Sequence, residues 1–172
     1  MENLIRAARL EEGAIEVKLD RCNIWDAVAD AWEDFAEGDA PYRLFQVQGL
    51  TEALAVADPV LLRQVLANIL ANALKFSPPD SAIVASIEVH GGRVVLDIAD
   101  EGEGVPAEER ERIFDRFYRS PDANTGGTGL GLYISKIMLE AQGGRIEALA
   151  RPDGRRGLVI RTSLLLAKGS AT

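Results

Sequence analysis

The sequence of 172 residues predicts one α/β domain, a two-layer sandwich in which a mixed, mostly antiparallel sheet is covered on one face by helices. Two observations lead to this fold class. Apolar residues recur with helical spacing in some segments and alternate in others. Most neighbouring strand candidates are joined by short hairpin turns, which produce antiparallel pairs, whereas a doubly wound parallel sheet needs a helix between successive strands.

The first third of the chain is predicted to contain two helices and three strands. Residues 2–12 form the first helix, and Gly13 is its expected C-cap. Asn23 caps the second helix, which runs to about Glu37. Strands are expected at residues 14–19, 43–47 and 53–57.

A long helix is predicted over residues 58–76. Asp58 is its N-cap, and Pro59 occupies the first helical position. An apolar stripe with helical spacing follows and is expected to face the core. Its members are Leu62, Val65, Leu66, Ile69, Leu70 and Ala73.

A hairpin follows this helix. Residues 81–90 and 93–100 alternate about Gly91 and Gly92, which are a two-residue turn signal. Counting outward from the turn pairs Val89 with Val94, Ile87 with Leu96 and Ala85 with Ile98, all on one apolar face.

The rest of the chain alternates between helix, loop and hairpin. Residues 106–114 are predicted to be helical, because a proline opens the segment. Residues 115–128 are polar, contain glycine and have no periodicity, so we expect a long mobile loop. Residues 129–142 return to helical spacing. A last hairpin is expected at residues 145–150 and 158–166.

Charge and composition exclude several classes of function. A formal charge of −8 disfavours nucleic acid and direct membrane contact, since both are bound by surplus Lys and Arg. A single histidine, His90, gives no multi-histidine zinc site and little prospect of a catalytic triad. A single cysteine, Cys22, excludes internal disulfides and fits a reducing compartment. With no long apolar run and no secretory signal, a cytoplasmic location is expected.

Three polar residues share one face of the predicted helix 58–76. Asn68 and Asn72 lie four residues apart, and Lys75 follows three residues later. Asn in a helix interior costs up to ~0.7 kcal/mol relative to Ala, so two of them without a capping role indicate another purpose. An amide oxygen suits Mg²⁺ when phosphates supply the other ligands, and a lysine offsets phosphate charge. A solvated polar face is the alternative for this patch alone.

The second patch comes at the end of the strand 93–100. Asp100 is followed by Gly102 and Gly104, and glycines let the backbone approach a ligand closely. A carboxylate only accepts hydrogen bonds, so it can bind an exocyclic amino group such as that of adenine. A calcium loop is excluded because its ligand spacing is absent. A plain turn remains the alternative.

The third patch, residues 126–132, reads GGTGLGL and opens a helix. Free N–H groups at a helix start bind anions, and glycines let phosphates come near. A dinucleotide fingerprint needs a strand directly before it, and a Walker loop needs Gly-Lys-Ser/Thr. Both features are missing, so the pattern predicts a phosphate site of another kind.

Taken in order, these motifs resemble the histidine-kinase catalytic domain of the superfamily shared with gyrase-type, mismatch-repair and chaperone ATPases. NILANALKFS is similar to its asparagine box, DEGEGVP to its first glycine box, RIFDRFYRS to its phenylalanine box and GGTGLGLYISKIMLEAQGG to its second glycine box. LIRAARLEEGAIEVKLD resembles the end of the phospho-acceptor hairpin and its linker. The resemblance therefore implies hairpin end and linker at residues 1–13, and a catalytic ATP-binding domain at residues 14–172.

At the adenine end, the resemblance implies four contacts. Asp100 would accept a hydrogen bond from the adenine amino group, and Phe76 would lie near the ring. Gly102 and Gly104 would let the backbone close around the base.

At the phosphate end, the resemblance implies a magnesium ion as well as ATP. Asn72 would bind Mg²⁺, Asn68 would position it, and Lys75 would face the phosphates. Arg116 or Arg119 would reach toward the γ-phosphate. The phosphate cradle would consist of Gly127, Thr128, Gly129, Leu130 and Gly131, within a mobile lid.

One position separates two classes of enzyme. In hydrolytic relatives, a glutamate four residues before the magnesium asparagine activates water, and here that position is Asn68, which is no base near neutral pH. A kinase is therefore favoured over an ATPase.

The acceptor motif of the family, a His followed by an acidic residue, is absent. The chain is therefore not expected to phosphorylate itself efficiently. Dimers of this family form mainly through the acceptor hairpin, so the resemblance also implies that this chain is a monomer. Its expected partners are a phospho-acceptor hairpin domain outside this chain and a response regulator. Two alternatives stay open: a serine-directed kinase of the anti-sigma-factor type, and a degenerate module that binds nucleotide or a partner without catalysis.

Overall fold

The computed structural model of the chain describes residues 16–36, 45–119 and 127–169, together with Ile5, Ala8, Arg9, Glu12 and Gly13. The α-helices with both ends in the described residues are α1 (Ile24–Ala36), α2 (Pro59–Phe76) and α3 (Gly131–Glu140). Its strands are β1 (Asp20–Asn23), β2 (Phe45–Gly49), β3 (Leu54–Ala57), β4 (Ile83–His90), β5 (Arg93–Ala99), β6 (Arg145–Ala150) and β7 (Leu158–Leu166). None of the described helices is long and apolar enough to cross a bilayer.

All seven described strands belong to one sheet. Its order is β1-β3-β7-β5-β4-β2, and β6 pairs with the first part of β7. The pair of β2 and β4 is parallel, and the other described pairs are antiparallel. The predicted fold class is confirmed: a mixed, mostly antiparallel sheet packs against a layer of helices.

Helix α2 lies at the centre of the helical layer, between α1 and α3. The Asp58 carboxylate accepts hydrogen bonds from the N–H groups of Val60 (3.0 Å) and Leu61 (3.2 Å), so it is the predicted N-cap. All six residues of the predicted apolar stripe are buried. Burial of this stripe against the sheet fixes the direction in which the polar residues of α2 point.

The β4–β5 hairpin has the predicted register. Val89 pairs with Val94, Ile87 with Leu96 and Ala85 with Ile98. Gly91 (φ 57°) and Gly92 (φ 73°) both adopt the left-handed conformation that a tight hairpin turn needs. His90, beside this turn, is exposed as expected.

Two element predictions were wrong. The strand expected at 14–19 begins instead at Asp20, and residues 16–19 have no regular structure. The N–H of Lys18 donates to the Asp58 carboxylate (2.9 Å), so this segment is bonded to the start of α2 rather than to the sheet. The helix expected at 106–114 is two 3₁₀ turns, Ala107–Glu109 and Arg112–Phe114. Its sequence has no apolar stripe to bury, and Phe114 is its one buried residue in those two turns.

Helix α3 is shorter than the predicted 129–142. Its buried positions are Ile134, Ser135, Met138 and Leu139, whereas Ala141 is exposed in the turn that follows the helix. The last hairpin, β6 with β7, lies at the predicted residues. The predictions for residues 37–44 and 120–126, and for most of residues 2–12, lie outside the described part of the chain.

Candidate active site

The three polar patches of the sequence meet around the carboxyl-terminal half of α2. The end of β5 approaches that helix from one side, and the start of α3 approaches it from the other. In each case a glycine packs against α2: Gly102 after β5, and Gly131 at the start of α3. The distances from these two glycines to α2 describe the geometry of the site.

The asparagine face of α2 meets the first turn of α3. A Cβ placed on Gly131 would lie 4.0 Å from Asn68 Cγ and 4.0 Å from Asn72 Nδ2. The Asn68 amide donates hydrogen bonds to the carbonyl of Gly131 (3.2 Å) and to the hydroxyl of Ser135 (3.2 Å). Asn68 therefore joins the two helices, and Asn72 lies beside the backbone that opens α3.

Lys75 connects the same helix to the second glycine motif. A Cβ placed on Gly127 would lie 2.7 Å from Lys75 Nζ, so this ammonium group lies directly against the glycine backbone. Lys75 Nζ also lies 4.8 Å from the centroid of the Phe76 ring, which is 45% exposed. A cation and an exposed aromatic ring thus lie side by side at the end of α2.

Asp100 is a buried carboxylate at the end of β5, with 6% of its surface exposed. Its Oδ1 accepts hydrogen bonds from the N–H groups of Gly102 (2.8 Å) and Leu158 (3.3 Å). A Cβ on Gly102 would lie 2.4 Å from the carbonyl oxygen of Phe76, so only glycine fits between this loop and α2. The carboxylate is therefore held close to the carboxyl-terminal end of α2.

The glycine segment before α3 is held by the phenylalanine motif. The N–H of Phe117 donates to the carbonyl of Gly129 (3.1 Å), and a Cβ on Gly129 would lie 2.6 Å from the carbonyl oxygen of Tyr118. Gly129 has φ of 67°, which favours glycine. Thr128 is exposed, and Leu130, the residue before α3, is half-buried.

The two candidate arginines lie in the segment that Gly129 anchors. Arg116 and Arg119 are both exposed. The guanidinium carbon of Arg116 lies 5.0 Å from the centroid of the Phe117 ring. Phe117 itself is 58% exposed and has φ of 64°, an uncommon conformation for a residue with a side chain.

Three residues of this region were missed by the sequence analysis. Ser135 lies one turn after Gly131 and bonds to Asn68 and to the Gly131 carbonyl; its spacing from Gly131 was the available signal. Arg151 and Gly157 contact Asp100 from the β6–β7 turn, and no local pattern connects them to it. Hydrogen bonding to Asp153 raises the pKa of Arg151, and the same bond lowers the pKa of Asp153 to about 2.

The arrangement offers donors at one end and an acceptor at the other. Lys75 and the backbone at the start of α3 suit an anion, while Asp100 suits a hydrogen-bond donor. Among the described residues, no group of three or more His, Cys, Asp or Glu side chains could hold a metal ion by itself.

Comparison with known proteins identifies the family. A model described as histidine kinase-, DNA gyrase B-, and HSP90-like ATPase matches residues 57–168, more than half of the chain.

The chain belongs to this family. Among its relatives, the sensor protein KdpD of Mycobacterium tuberculosis is 34% identical over 163 residues, which cover 92% of this chain and 19% of KdpD. The chain therefore spans about a fifth of the length of the curated KdpD relatives that it matches. These matches assign it to the ATP-binding catalytic domains of histidine kinases.

Solved structures agree with this assignment. Full-length ShkA in complex with AMPPNP gives a TM-score of 0.82 at 26% identity, covering 99% of this chain and 36% of ShkA. The histidine kinase ThkA, in its complex with the response regulator TrrA, gives a TM-score of 0.74 at 20% identity, covering 96% of this chain and 48% of ThkA. The ThkA likeness shows the fold alone.

Proposed function

We propose that this domain binds ATP with Mg²⁺ and transfers the γ-phosphoryl group to a histidine on a hairpin domain elsewhere in a longer protein. Residues 1–13 would be the end of that hairpin and its linker, and residues 14–172 the catalytic domain. The observation that carries the proposal is the meeting of Asp100, Lys75 and the asparagine pair around one end of α2. The AMPPNP bound by ShkA supports ATP as the nucleotide, and membership of the histidine kinase family favours a response regulator as a partner.

Asp100 would recognise the base. Its carboxylate is buried and oriented by two backbone N–H groups, so it presents a fixed acceptor to the amino group of adenine. Phe76, half-exposed at the end of α2, would contact the ring. Gly102 and Gly104 would allow the loop to close on the base, since the contact of Gly102 with Phe76 already excludes a side chain there.

The phosphates would lie between α2 and the start of α3. Lys75 would offset their charge, and the backbone of Gly127, Thr128, Gly129, Leu130 and Gly131 would donate to them. Because the described residues offer no acidic metal cluster, a magnesium ion there would share phosphate oxygens, and the amide oxygen of Asn72 is a ligand of the type it accepts. The ion would supply charge neutralisation on the triphosphate.

Transfer would need positioning more than an activated water. The acceptor imidazole nitrogen would bond to the γ-phosphorus as the bond to the bridging oxygen of ADP breaks. Arg116 or Arg119 would hold the γ-phosphate from the exposed segment that Gly129 anchors. Asn68, whose amide is bonded to Gly131 and Ser135, would keep the magnesium site in place and offers no base to a water molecule.

Two experiments test the proposal. Calorimetric titration of the domain with AMPPNP should give binding that strengthens with Mg²⁺; absence of binding would favour the degenerate module. Incubation of the longer parent protein with [γ-³²P]ATP should give acid-labile label on its hairpin histidine. Under the same conditions this chain alone should remain unlabelled, and label on His90 would contradict the assigned acceptor.

A further inference from the structure

We infer that Arg151 is a positioning residue for adenine recognition. From the turn between β6 and β7, it holds the backbone of Asp100 so that the carboxylate points at the amino group of the base. The inference rests on the proposed ATP site and extends it to a residue that does not contact the nucleotide. It assigns the choice of purine partly to a hairpin that belongs to none of the four sequence motifs.

The hairpin fixes Asp100 at three places. Arg151 Nη1 donates to the Asp100 carbonyl oxygen (2.9 Å). The Asp100 N–H donates to the carbonyl of Leu158 (3.0 Å), and the N–H of Leu158 donates to Asp100 Oδ1 (3.3 Å). Of these three bonds, the first is the one that uses a side chain of the hairpin, so a substitution in the hairpin can remove it selectively.

Gly157 permits this contact by having no side chain. A Cβ placed on it would lie 2.0 Å from the Asp100 carbonyl oxygen and 2.7 Å from Arg151 Cδ. Gly104, in the loop that follows Asp100, packs on the same residue, since its own Cβ would lie 2.9 Å from the Gly157 carbonyl oxygen. The Arg151 guanidinium, the turn that contains Gly157 and the loop that follows Asp100 are thus closely packed together.

Arg151 is itself held in one orientation. Its Nε and Nη2 donate to the two oxygens of Asp153 (3.1 and 2.7 Å), and only 9% of its side chain is exposed. The bond to Arg151 lowers the pKa of Asp153 to about 2, so this carboxylate is ionised throughout the neutral range. A bidentate ion pair of this kind fixes the orientation of a guanidinium more firmly than a single hydrogen bond does.

Removal of Arg151 would leave the Asp100 carbonyl beside water. A solvent-open cavity of about 350 Å³ borders Arg151 and is also lined by Arg110, Arg156 and Gly157, among others. Water entering from this cavity would replace a fixed donor by a mobile one. The Asp100 peptide, and with it the carboxylate, would then lose part of its fixed orientation.

Arg161 provides a matched control. It makes a bidentate pair with Asp97 (2.7 and 2.7 Å), at least as short as that of Arg151 with Asp153, between the neighbouring strands β7 and β5. Both bonds of this pair go to the carboxylate of Asp97, which lies three residues before Asp100 in the sequence. Loss of Arg161 therefore removes a comparable ion pair without touching the proposed adenine contact.

The test compares ATP with purine riboside triphosphate, which has the same sugar and phosphates but lacks the amino group. Calorimetry on the domain with Mg²⁺ gives the affinity of each variant for both nucleotides. The selectivity ratio is the affinity for ATP divided by the affinity for purine riboside triphosphate. Arg151→Met should lower the wild-type ratio by about tenfold through weaker ATP binding, with binding of the amino-free nucleotide unchanged. Arg161→Met should keep the ratio, and Arg151→Lys, which retains a donor, should restore part of it.

The possible results separate the inference from the function on which it rests. A wild-type ratio near one contradicts adenine recognition by Asp100, and the inference fails with it. A selective wild type with an equally selective Arg151→Met variant overturns the inference alone, as does an equal loss of affinity for both nucleotides. If Arg151→Met does not fold, Asp153→Asn replaces it: a lowered ratio supports positioning through the ion pair, and an unchanged ratio overturns it.

Discussion

The adenine end and the phosphate end of the proposed site differ in how their groups are held. At the adenine end, Asp100 is 6% exposed, and its N–H, its carbonyl and Oδ1 all have backbone or arginine partners. At the phosphate end, Gly127 and Thr128 are exposed, and the helix contributes the side chains of Lys75 and Asn72.

This difference suits the two ends of the proposed site to different tasks, recognition of the base and exchange of the nucleotide. A buried, oriented carboxylate recognises a base without rearranging when the base arrives, which is the basis of selectivity. In the proposed function, the exposed glycine segment would let a triphosphate enter and a diphosphate leave. Substitutions at each end can show whether the adenine end is rigid and the phosphate end accessible.

The largest expected effect is at the packed end. Gly157→Ala should lower the free energy of unfolding by about 3 kcal/mol, because φ is +130° and the new Cβ would meet the Asp100 carbonyl oxygen at 2.0 Å. Gly154→Ala, in the same turn, has φ of +71° but open space, so about 1 kcal/mol is expected. Urea unfolding of both variants measures the difference, and equal losses would show that the hairpin is not tightly packed on Asp100.

Asp100→Asn should weaken ATP binding by about 100-fold, because a partial donor replaces an acceptor in front of the adenine amino group. Its free energy of unfolding should change much less, since the amide oxygen can still accept from Gly102. Asp97→Asn on the same strand is the control and should leave ATP binding unchanged. Calorimetry and urea unfolding are run on each variant; parallel losses of affinity and stability at Asp100 would indicate a structural carboxylate.

At the accessible end, Asn72→Ala should remove about tenfold of ATP affinity, and only when Mg²⁺ is present. Fold stability should hold or rise by up to ~0.7 kcal/mol, because Ala replaces Asn inside a helix. Titrations with ATP in the presence of Mg²⁺ and in the presence of a chelator separate the Mg²⁺-dependent part of the ATP affinity from the Mg²⁺-independent part. Gln64→Ala, another amide on α2, is the matched control, and unfolding of the Asn72 variant would refute the metal role.

The smallest expected effect concerns pH. The folded pKa of Asp153 is about 2, below its ordinary value of 3.8, because of its hydrogen bond with Arg151. The stabilisation from this pair is therefore complete above pH 3.8 and lost as pH falls through about 2. NMR titration of the Asp153 carboxyl carbon should give that midpoint. In Arg151→Met the midpoint should move toward the ordinary value, and an unmoved midpoint would show that another group lowers it.

Local signals were enough to predict that the asparagine face of α2, Lys75 and the glycine segment before α3 lie together. Asn68, Asn72 and Lys75 lie on one face of a helix whose cap and apolar stripe are readable from spacing, and the glycines mark where α3 begins. The β4–β5 register also followed from counting outward from one turn. In each case the residues that decide the structure are close in sequence.

The packed end was less predictable because its contacts are long-range. Asp100 was singled out by the glycines after it, but Arg151 is 51 residues away and reaches it through the pairing of β5 with β7. The second of the 3₁₀ turns after it buries Phe114, for which the spacing of the segment gave no sign. A contact set by sheet topology leaves no periodic trace in the sequence.

A crystal structure of the domain with AMPPNP and Mg²⁺ tests the central claim most directly. We expect the adenine amino group against the Asp100 carboxylate, the metal at the Asn72 amide oxygen, and the phosphates between Lys75 and the start of α3. Nucleotide bound away from Asp100, or phosphates and metal without contact to α2, would contradict it.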